Sequence, residues 1–96
     1  MVMIRQAKPF ALGELLSTPA ALGAIRDSGQ SPLDFLLRHA KGDWGEVSAG
    51  DSELNDEATI DGDRVHSAYR TRKGERIWVI TDAGGACTTI LLPDEY

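Results

Sequence analysis

Three side-chain types in this sequence together suit proton transfer and charge stabilisation at a phosphodiester. His39 offers a general base, Arg70 offers a fixed positive charge for a developing anion, and Thr88 or Thr89 offers a hydroxyl donor. They follow one another along the chain on a predicted helix, a first strand and a third strand. We therefore take His39, Arg70 and Thr89 as candidate catalytic residues, provided that one fold brings them together.

This order of residue types resembles that of small metal-independent ribonucleases of the barnase, colicin and RelE type, in which N-terminal helices pack on an antiparallel sheet. The resemblance implies RNA cleavage without a cofactor. The overall charge argues against it, because 15 acidic and 10 basic residues give a net charge of −5, whereas contacts to phosphates need a local surplus of Lys and Arg.

The charges are unevenly spread. Residues 43–63 carry eight acidic side chains and no Lys or Arg. Five basic residues cluster around the hairpin that follows: Arg64, Arg70, Arg72, Lys73 and Arg76. Two interpretations remain open, namely a small basic face and pairing of these residues with the acidic segment.

A second candidate site is the corner formed by residues 39–44. His39 falls in the last turn of a predicted helix, where the helix dipole favours the protonated imidazole. Asp43 is placed to orient that ring through a hydrogen bond. Asp43, Trp44 and Tyr69 are therefore candidate binding residues. The alternative is that His39 caps the helix and packs on Trp44, with the aromatic residues in the core.

We expect neither a cofactor nor a metal site. His39, His66, Cys87 and the acidic segment do not fall into a recognised ligand spacing. The segment starting at Asp51 imitates the beginning of a calcium loop, but it lacks the required glycine and the final bidentate acid. Cys87 lies in a predicted strand with no basic neighbour, which predicts a buried, unreactive thiol.

Capping residues place the helices that would position these side chains. Thr18 before Pro19 and Ser31 before Pro32 each combine an N-cap hydroxyl with a proline in the first helical position. Residues 10–17 are compatible with either a strand or a helix, and residues 1–8 are expected to be loose. The predicted helices cover residues 19–27, residues 32–41, and an acidic segment from 48 or 51 to about 60.

Three β-rich runs end the chain, and two short glycine-centred turns separate them. The runs cover residues 64–71, 76–81 and 87–92. Alternation puts His66, Ala68 and Arg70 on a face of the first strand that core packing does not require. The sequence thus predicts an α+β fold in a single domain over residues 1–96. N-terminal helices would pack on a C-terminal antiparallel meander of three strands. A sheet of four antiparallel strands is the alternative.

Several sequence strings are similar to those of a family of small bacterial proteins found on plasmids and other mobile elements. The strings are RHAKGDWGE at 38–46, ND at 55–56, RVHSAYRT at 64–71, WVIT at 78–81 and TTILLPDEY at 88–96. Members are often labelled plasmid-related protein, and sometimes subunit M of a type I restriction endonuclease. The resemblance spans about residues 10–96 and implies a mobile-element origin but no particular activity. A methyltransferase would need a doubly wound sheet with a glycine-rich fingerprint, which these 96 residues do not contain.

The function that the sequence favours is that of a small cytoplasmic accessory protein, not an enzyme, that binds another protein or a second copy of itself. A small sheet leaves an edge that pairing would cover. RNA is a partner only in the ribonuclease alternative. A membrane is not an expected partner, because no apolar run approaches the ~18 residues of a membrane span. The single cysteine points to a reducing compartment.

Overall fold

The computed structural model describes residues 10–96, so the predicted loose start at residues 1–8 lies outside the described part. Over these described residues the fold is α+β, with three helices and a four-stranded sheet. In chain order the elements are β1 (Glu14–Ser17), α1 (Pro19–Asp27), α2 (Pro32–Ala40), α3 (Ala49–Asp61), β2 (Val65–Arg70), β3 (Arg76–Thr81), β4 (Cys87–Leu91) and a short 3-10 turn (Pro93–Glu95).

Local capping explains where the helices begin. Thr18 and Ser48 accept backbone N–H bonds at the starts of α1 and α3, and Ser31 forms a capping box with Asp34 at the start of α2. Gly62 ends α3 in the left-handed conformation, with φ of 78°. Within residues 10–96, none of the helices has both the length and the apolar character that crossing a bilayer requires.

The sheet has the strand order β1-β4-β3-β2. Strands β2, β3 and β4 form the antiparallel meander that the sequence predicts. The prediction of a purely antiparallel sheet is wrong, because β1 pairs with β4 in parallel and makes the sheet mixed. The physical reason is that β1 is only four residues long, and its direction depends on a partner strand far along the chain.

The core lies on one face of the sheet, which we call the helix-covered face. Side chains of α1 and α2 pack there against alternate residues of the strands. Its buried cluster contains Ala21, Ala24, Ile25, Phe35, Leu36, Tyr69, Ile77, Val79 and Ile90. A smaller cluster of Trp44, Ala58 and Val65 lies beside it, with Phe10 and Val47 packed against it. His66, Ala68 and Arg70 therefore point to the opposite face, which we call the outer face.

Strand β2 lies at an edge of the sheet, but other parts of the chain cover much of that edge. The side-chain amide of Asn55 donates to the carbonyl of His66 at 2.8 Å and accepts from its N–H at 3.1 Å. The N–H of Ala68 donates to the carbonyl of Trp44 at 3.0 Å, and the carbonyl of Ala68 accepts from the N–H of Glu46 at 2.6 Å. These groups are already bonded, so they are not free to pair with a second copy.

The close approach of the 44–46 loop to β2 requires a glycine. Gly45 has φ of 73°, and a Cβ atom on it would lie 2.6 Å from Cδ1 of Tyr69 and closer still to the carbonyl oxygen of Ala68. No side chain fits in that space without moving the loop.

Candidate binding groove

His39 is fully buried, at 0% exposure, between α2 and the helix-covered face of the sheet. Its Nδ1 lies 2.5 Å from Oγ of Ser67, and its Nε2 lies 2.9 Å from Oγ1 of Thr81. The rings of Phe10 and Trp44 pack edge-on against the imidazole. Solvent and substrate therefore have no path to this side chain.

The hydrogen bonds around His39 determine its tautomer. Oγ1 of Thr88 donates to the carbonyl of Leu12 at 2.7 Å, so it accepts from the hydroxyl of Thr81, also at 2.7 Å. Oγ1 of Thr81 must then accept from Nε2–H of His39, which leaves Nδ1 to accept from the hydroxyl of Ser67. We call His39, Ser67, Thr81 and Thr88 the buried hydroxyl network.

Burial lowers the pKa of His39 to about 4 from its ordinary value of 6.5. The expectation of a protonated imidazole at the helix end is therefore wrong. Desolvation of the ring penalises its charged form more strongly than the helix dipole favours it. At neutral pH, His39 is an uncharged structural residue.

Asp43 does not orient His39, contrary to the prediction. Its carboxylate accepts from Nε of Arg38 at 2.7 Å and from the N–H of Gly45 at 3.2 Å. The hydrogen bond from Arg38 is the main reason why the pKa of Asp43 lies below its ordinary value. Asp43 thus stabilises the turn after α2, and its backbone carbonyl accepts the hydroxyl of Tyr69 at 2.6 Å.

The predicted corner around Trp44 is closed. Trp44 is only 4% exposed, and its Nε1–H donates to Oδ1 of Asp56 at 2.9 Å. Tyr69 is buried against Phe35, and burial raises its pKa to about 12. The aromatic rings of Trp44 and Tyr69 thus pack in the two buried clusters.

The structure does not bring the three candidate catalytic residues together. His39 lies on the helix-covered face, whereas Arg70 and Thr89 lie on the outer face. Arg70 is paired with Arg76, and Thr89 is paired with Ile80. That register separates Arg70 from Thr89 by two strand spacings across the sheet and four residues along it, which is about 16 Å. A base must reach the proton that it removes, so these residues cannot act on one bond.

Cys87 is half-buried, not fully buried as the sequence predicts. Its Sγ–H donates to Oδ2 of Asp82 at 2.9 Å, and this carboxylate raises the pKa of the thiol. A raised pKa disfavours the reactive thiolate. No three His, Cys, Asp or Glu side chains within residues 10–96 converge where a metal ion would bind.

A groove of about 480 Å³ lies on the outer face, above β2 and β3 and beside the first turns of α3. We call it the outer groove. It is lined by Glu46, Val47, Ser48, Asp51, Leu54, Asn55, Arg64, His66, Ala68, Tyr69, Arg70, Arg76 and Trp78. The alternation of β2 places His66, Ala68 and Arg70 here, so the sequence does predict part of it. Alternation alone does not connect Trp78, Arg76 and Asn55 with that face, because the first two depend on strand pairing and Asn55 depends on how α3 docks on β2.

The floor of the outer groove is aromatic at its centre. The rings of His66 and Trp78 meet edge to face, with centroids 4.4 Å apart, and Tyr96 packs on both. Ala68, the neighbour of Trp78 on β2, leaves open space because its side chain is small. Burial, and secondarily the charge of Arg64, lowers the pKa of His66. This imidazole is therefore neutral at neutral pH.

The two ends of the outer groove carry positive charge. At one end, Arg70 and Arg76 stand directly opposite each other on paired strands. At the other end, Arg64 lies over the ring of Tyr96, with Cζ 4.9 Å from the ring centroid. Among residues 10–96, only Arg70 of these three has a carboxylate partner, Glu46, at 2.9 Å. Within the described part of the chain, Arg64 and Arg76 therefore have no ion-pair partner.

The chain matches no protein-family model, no curated protein and no solved structure. The similarity to plasmid-related proteins stays a prediction from sequence. The chemistry of the outer groove is thus the basis on which a function is argued below.

Proposed function

We propose that this chain is a small accessory protein, not an enzyme, and that it binds a segment of another protein in the outer groove. The observation that supports this best is the composition of the groove: Trp78 and His66 lie between exposed arginines on the outer face, opposite the face on which α1 and α2 pack. Aromatic and arginine side chains are enriched where proteins bind one another. A cytoplasmic location and a mobile-element origin belong to the same proposal and rest on the sequence alone.

The shape of the outer groove favours a piece of extended chain. Arg64 and Arg70 lie at its two ends, six residues apart along β2, which corresponds to about 20 Å. The floor follows the strand, and the first turns of α3 form one wall. A long, shallow groove of this kind accommodates an extended segment, whereas compact small molecules are usually bound in more enclosed cavities.

One observation supports a second candidate function. The outer groove contains a carboxylate, Glu46, and an imidazole, His66, together with three arginines. A carboxylate and an imidazole can serve as general base and general acid in RNA cleavage, with arginines stabilising the charge of the transition state. This arrangement would replace the set of His39, Arg70 and Thr89, which does not converge. Both oxygens of Glu46 already accept from Nε of Arg70, so proton abstraction by Glu46 would require this ion pair to open.

A library of random displayed peptides tests the proposed function. The library is selected against the purified protein, and the selected peptides are then titrated against two variants. Ala68→Gln fills the centre of the outer groove without a change in charge, and Ala83→Gln places the same side chain on the exposed β3–β4 turn. We expect the selected peptides to bind Ala68→Gln at least about tenfold more weakly and to bind Ala83→Gln like the parent protein.

Two results would count against the proposal. The first is a selection that enriches no peptide, or only peptides that bind Ala68→Gln unchanged. The second is cleavage of single-stranded RNA by the parent protein that both Glu46→Gln and His66→Gln abolish, because that result would establish the second candidate function.

A further inference from the structure

We infer that the segment bound in the outer groove is acidic: an extended stretch of a partner protein with a carboxylate near each end and an apolar side chain between them. This inference rests on the proposed function and specifies the chemistry of the partner. It follows from how the charges are arranged along the groove.

The first end of the outer groove lacks one negative charge. Arg70 and Arg76 are directly opposite on β2 and β3, and like charges in such a pair destabilise a sheet. Glu46 is the one acidic side chain bonded there among residues 10–96, and its two oxygens lie 2.9 and 3.1 Å from Nε of Arg70. The guanidinium of Arg76 has no carboxylate partner in this part of the chain. An incoming carboxylate would bind Arg76 through two parallel hydrogen bonds.

The second end of the outer groove also has an arginine without a carboxylate partner among residues 10–96. Arg64 is exposed and packs on the ring of Tyr96. A cation that lies on an aromatic ring still has its N–H donors free at the edge of the guanidinium plane. Among residues 10–96, no carboxylate lies within ion-pair distance of Arg64. A second carboxylate of the partner segment would bind at this position, about six residues from the first in an extended chain.

The centre of the outer groove selects an apolar side chain. Ala68 leaves space above β2, and Trp78 and the neutral ring of His66 border that space. A leucine, valine or aromatic side chain placed there would remove apolar surface from water on both partners. The pattern that fits is therefore acidic, apolar, acidic.

A protein segment fits these charges better than RNA does. Helix α3 forms a wall of the outer groove, and Asp51 in its first turn lines the groove. A nucleic acid carries a negative charge at every nucleotide, so part of its backbone would lie against the carboxylate of Asp51. A peptide can place its carboxylates only at Arg64 and Arg76.

The test uses three labelled peptides of about seven residues, blocked at both termini and identical in a central leucine, valine and threonine. Their ends are glutamate, glutamine or lysine. Fluorescence anisotropy measures their affinity for the parent protein, for Arg76→Gln, and for Arg72→Gln. Arg72 lies on the same hairpin with an exposed side chain outside the groove, so it is a matched control. A short oligouridine is titrated in parallel.

We expect the glutamate-ended peptide to bind at least about tenfold more tightly than the glutamine-ended one, and more weakly as salt is raised. Arg76→Gln should reduce that affinity about tenfold, and Arg72→Gln by less than about twofold. Arg76→Lys should fall between the parent and Arg76→Gln, because lysine retains the charge but not the paired donors. Unchanged thermal unfolding of the variants shows that the fold is intact.

Each contrary result has its own meaning. Equal or tighter binding of the glutamine- or lysine-ended peptide would overturn the acidic partner and leave the proposed function standing. Binding of oligouridine alone, lost in Arg76→Gln, would overturn both. Weak binding of all three peptides, with no difference between Arg76→Gln and Arg72→Gln, would also overturn the inference. So would self-association of the chain that Arg76→Gln abolishes, because the occupant would then be a second copy.

Discussion

Nε2 of His39 lies 2.9 Å from Oγ1 of Thr81, and the hydrogen-bonded chain that begins there ends at the carbonyl of Leu12. It connects α2 with β3, β4 and the segment that leads into β1. Because the buried hydroxyl network runs in one direction only, it needs the neutral Nε2–H tautomer of His39. His39, which the sequence offers as a candidate general base, is therefore part of the core.

The first prediction concerns stability at acidic pH. The pKa of His39 is about 4 in the folded protein and near 6.5 when unfolded. Between these values the unfolded chain binds more protons than the folded one, so stability falls as the pH is lowered. The full stability is present above pH ~6.5, and on the order of 3 kcal/mol is lost by pH ~4. Urea unfolding at a series of pH values measures this loss.

The His39→Gln variant separates this effect from other titrations. His66 also has a lowered pKa in the folded protein and contributes in the same direction, and it is present in both proteins. The free energy of unfolding of the parent should therefore depend more steeply on pH between about 6.5 and 4 than that of His39→Gln. If the free energies of unfolding of the two proteins had the same pH dependence, His39 would not be buried in its neutral form.

The second prediction tests the buried hydroxyl network directly. Thr81→Val has nearly the same shape but leaves Nε2–H of His39 without its acceptor, which should cost about 1–3 kcal/mol of stability. Thr89→Val is the matched change on the outer face, where the side chain is half-buried, and it should cost less than about 0.5 kcal/mol. Equal losses for the two variants, measured by urea unfolding, would argue against the network.

The third prediction compares two glycines that share one backbone conformation. Gly45 and Gly29 both have φ of 73°. A Cβ atom on Gly29 meets nothing within 4 Å. Gly29→Ala should therefore lower the stability only by the strain of an alanine in the left-handed backbone conformation, about 1–2 kcal/mol. Gly45→Ala should cost at least about 2 kcal/mol more, because its Cβ would collide with the carbonyl of Ala68. Thermal unfolding of both variants measures the difference, and similar midpoints would contradict the tight loop contact.

The fourth prediction concerns the covered edge of β2. Asn55→Ala removes both hydrogen bonds to the backbone of His66, so it should cost about 2 kcal/mol and speed amide exchange at His66. Leu54→Ala, next to it on α3 at a position 63% exposed, should change stability by less than about 0.5 kcal/mol. NMR-detected hydrogen exchange reports the His66 amide in each variant. An unchanged exchange rate in Asn55→Ala would mean that another group protects this edge.

The features that the sequence determined by itself are local. A hydroxyl before a proline satisfies free N–H groups wherever it occurs, so Thr18 and Ser31 predict the starts of α1 and α2 without reference to the rest of the fold. Alternation of side chains is equally local, and it places His66 and Arg70 on a shared face. Glycine-centred turns between apolar runs predict the meander for the same reason.

Tertiary structure decided what depends on partners distant in the chain. The direction of β1 is set by its pairing with β4, and the alternation within four residues carries no information about it. The charge of His39 also depends on residues that are distant in the chain. The helix end beside it favours protonation, but Ser67 and Thr81, 28 and 42 residues away, enclose the ring, and desolvation outweighs the dipole. The outer groove likewise exists only because pairing places Trp78 and Arg76 beside the predicted face of β2.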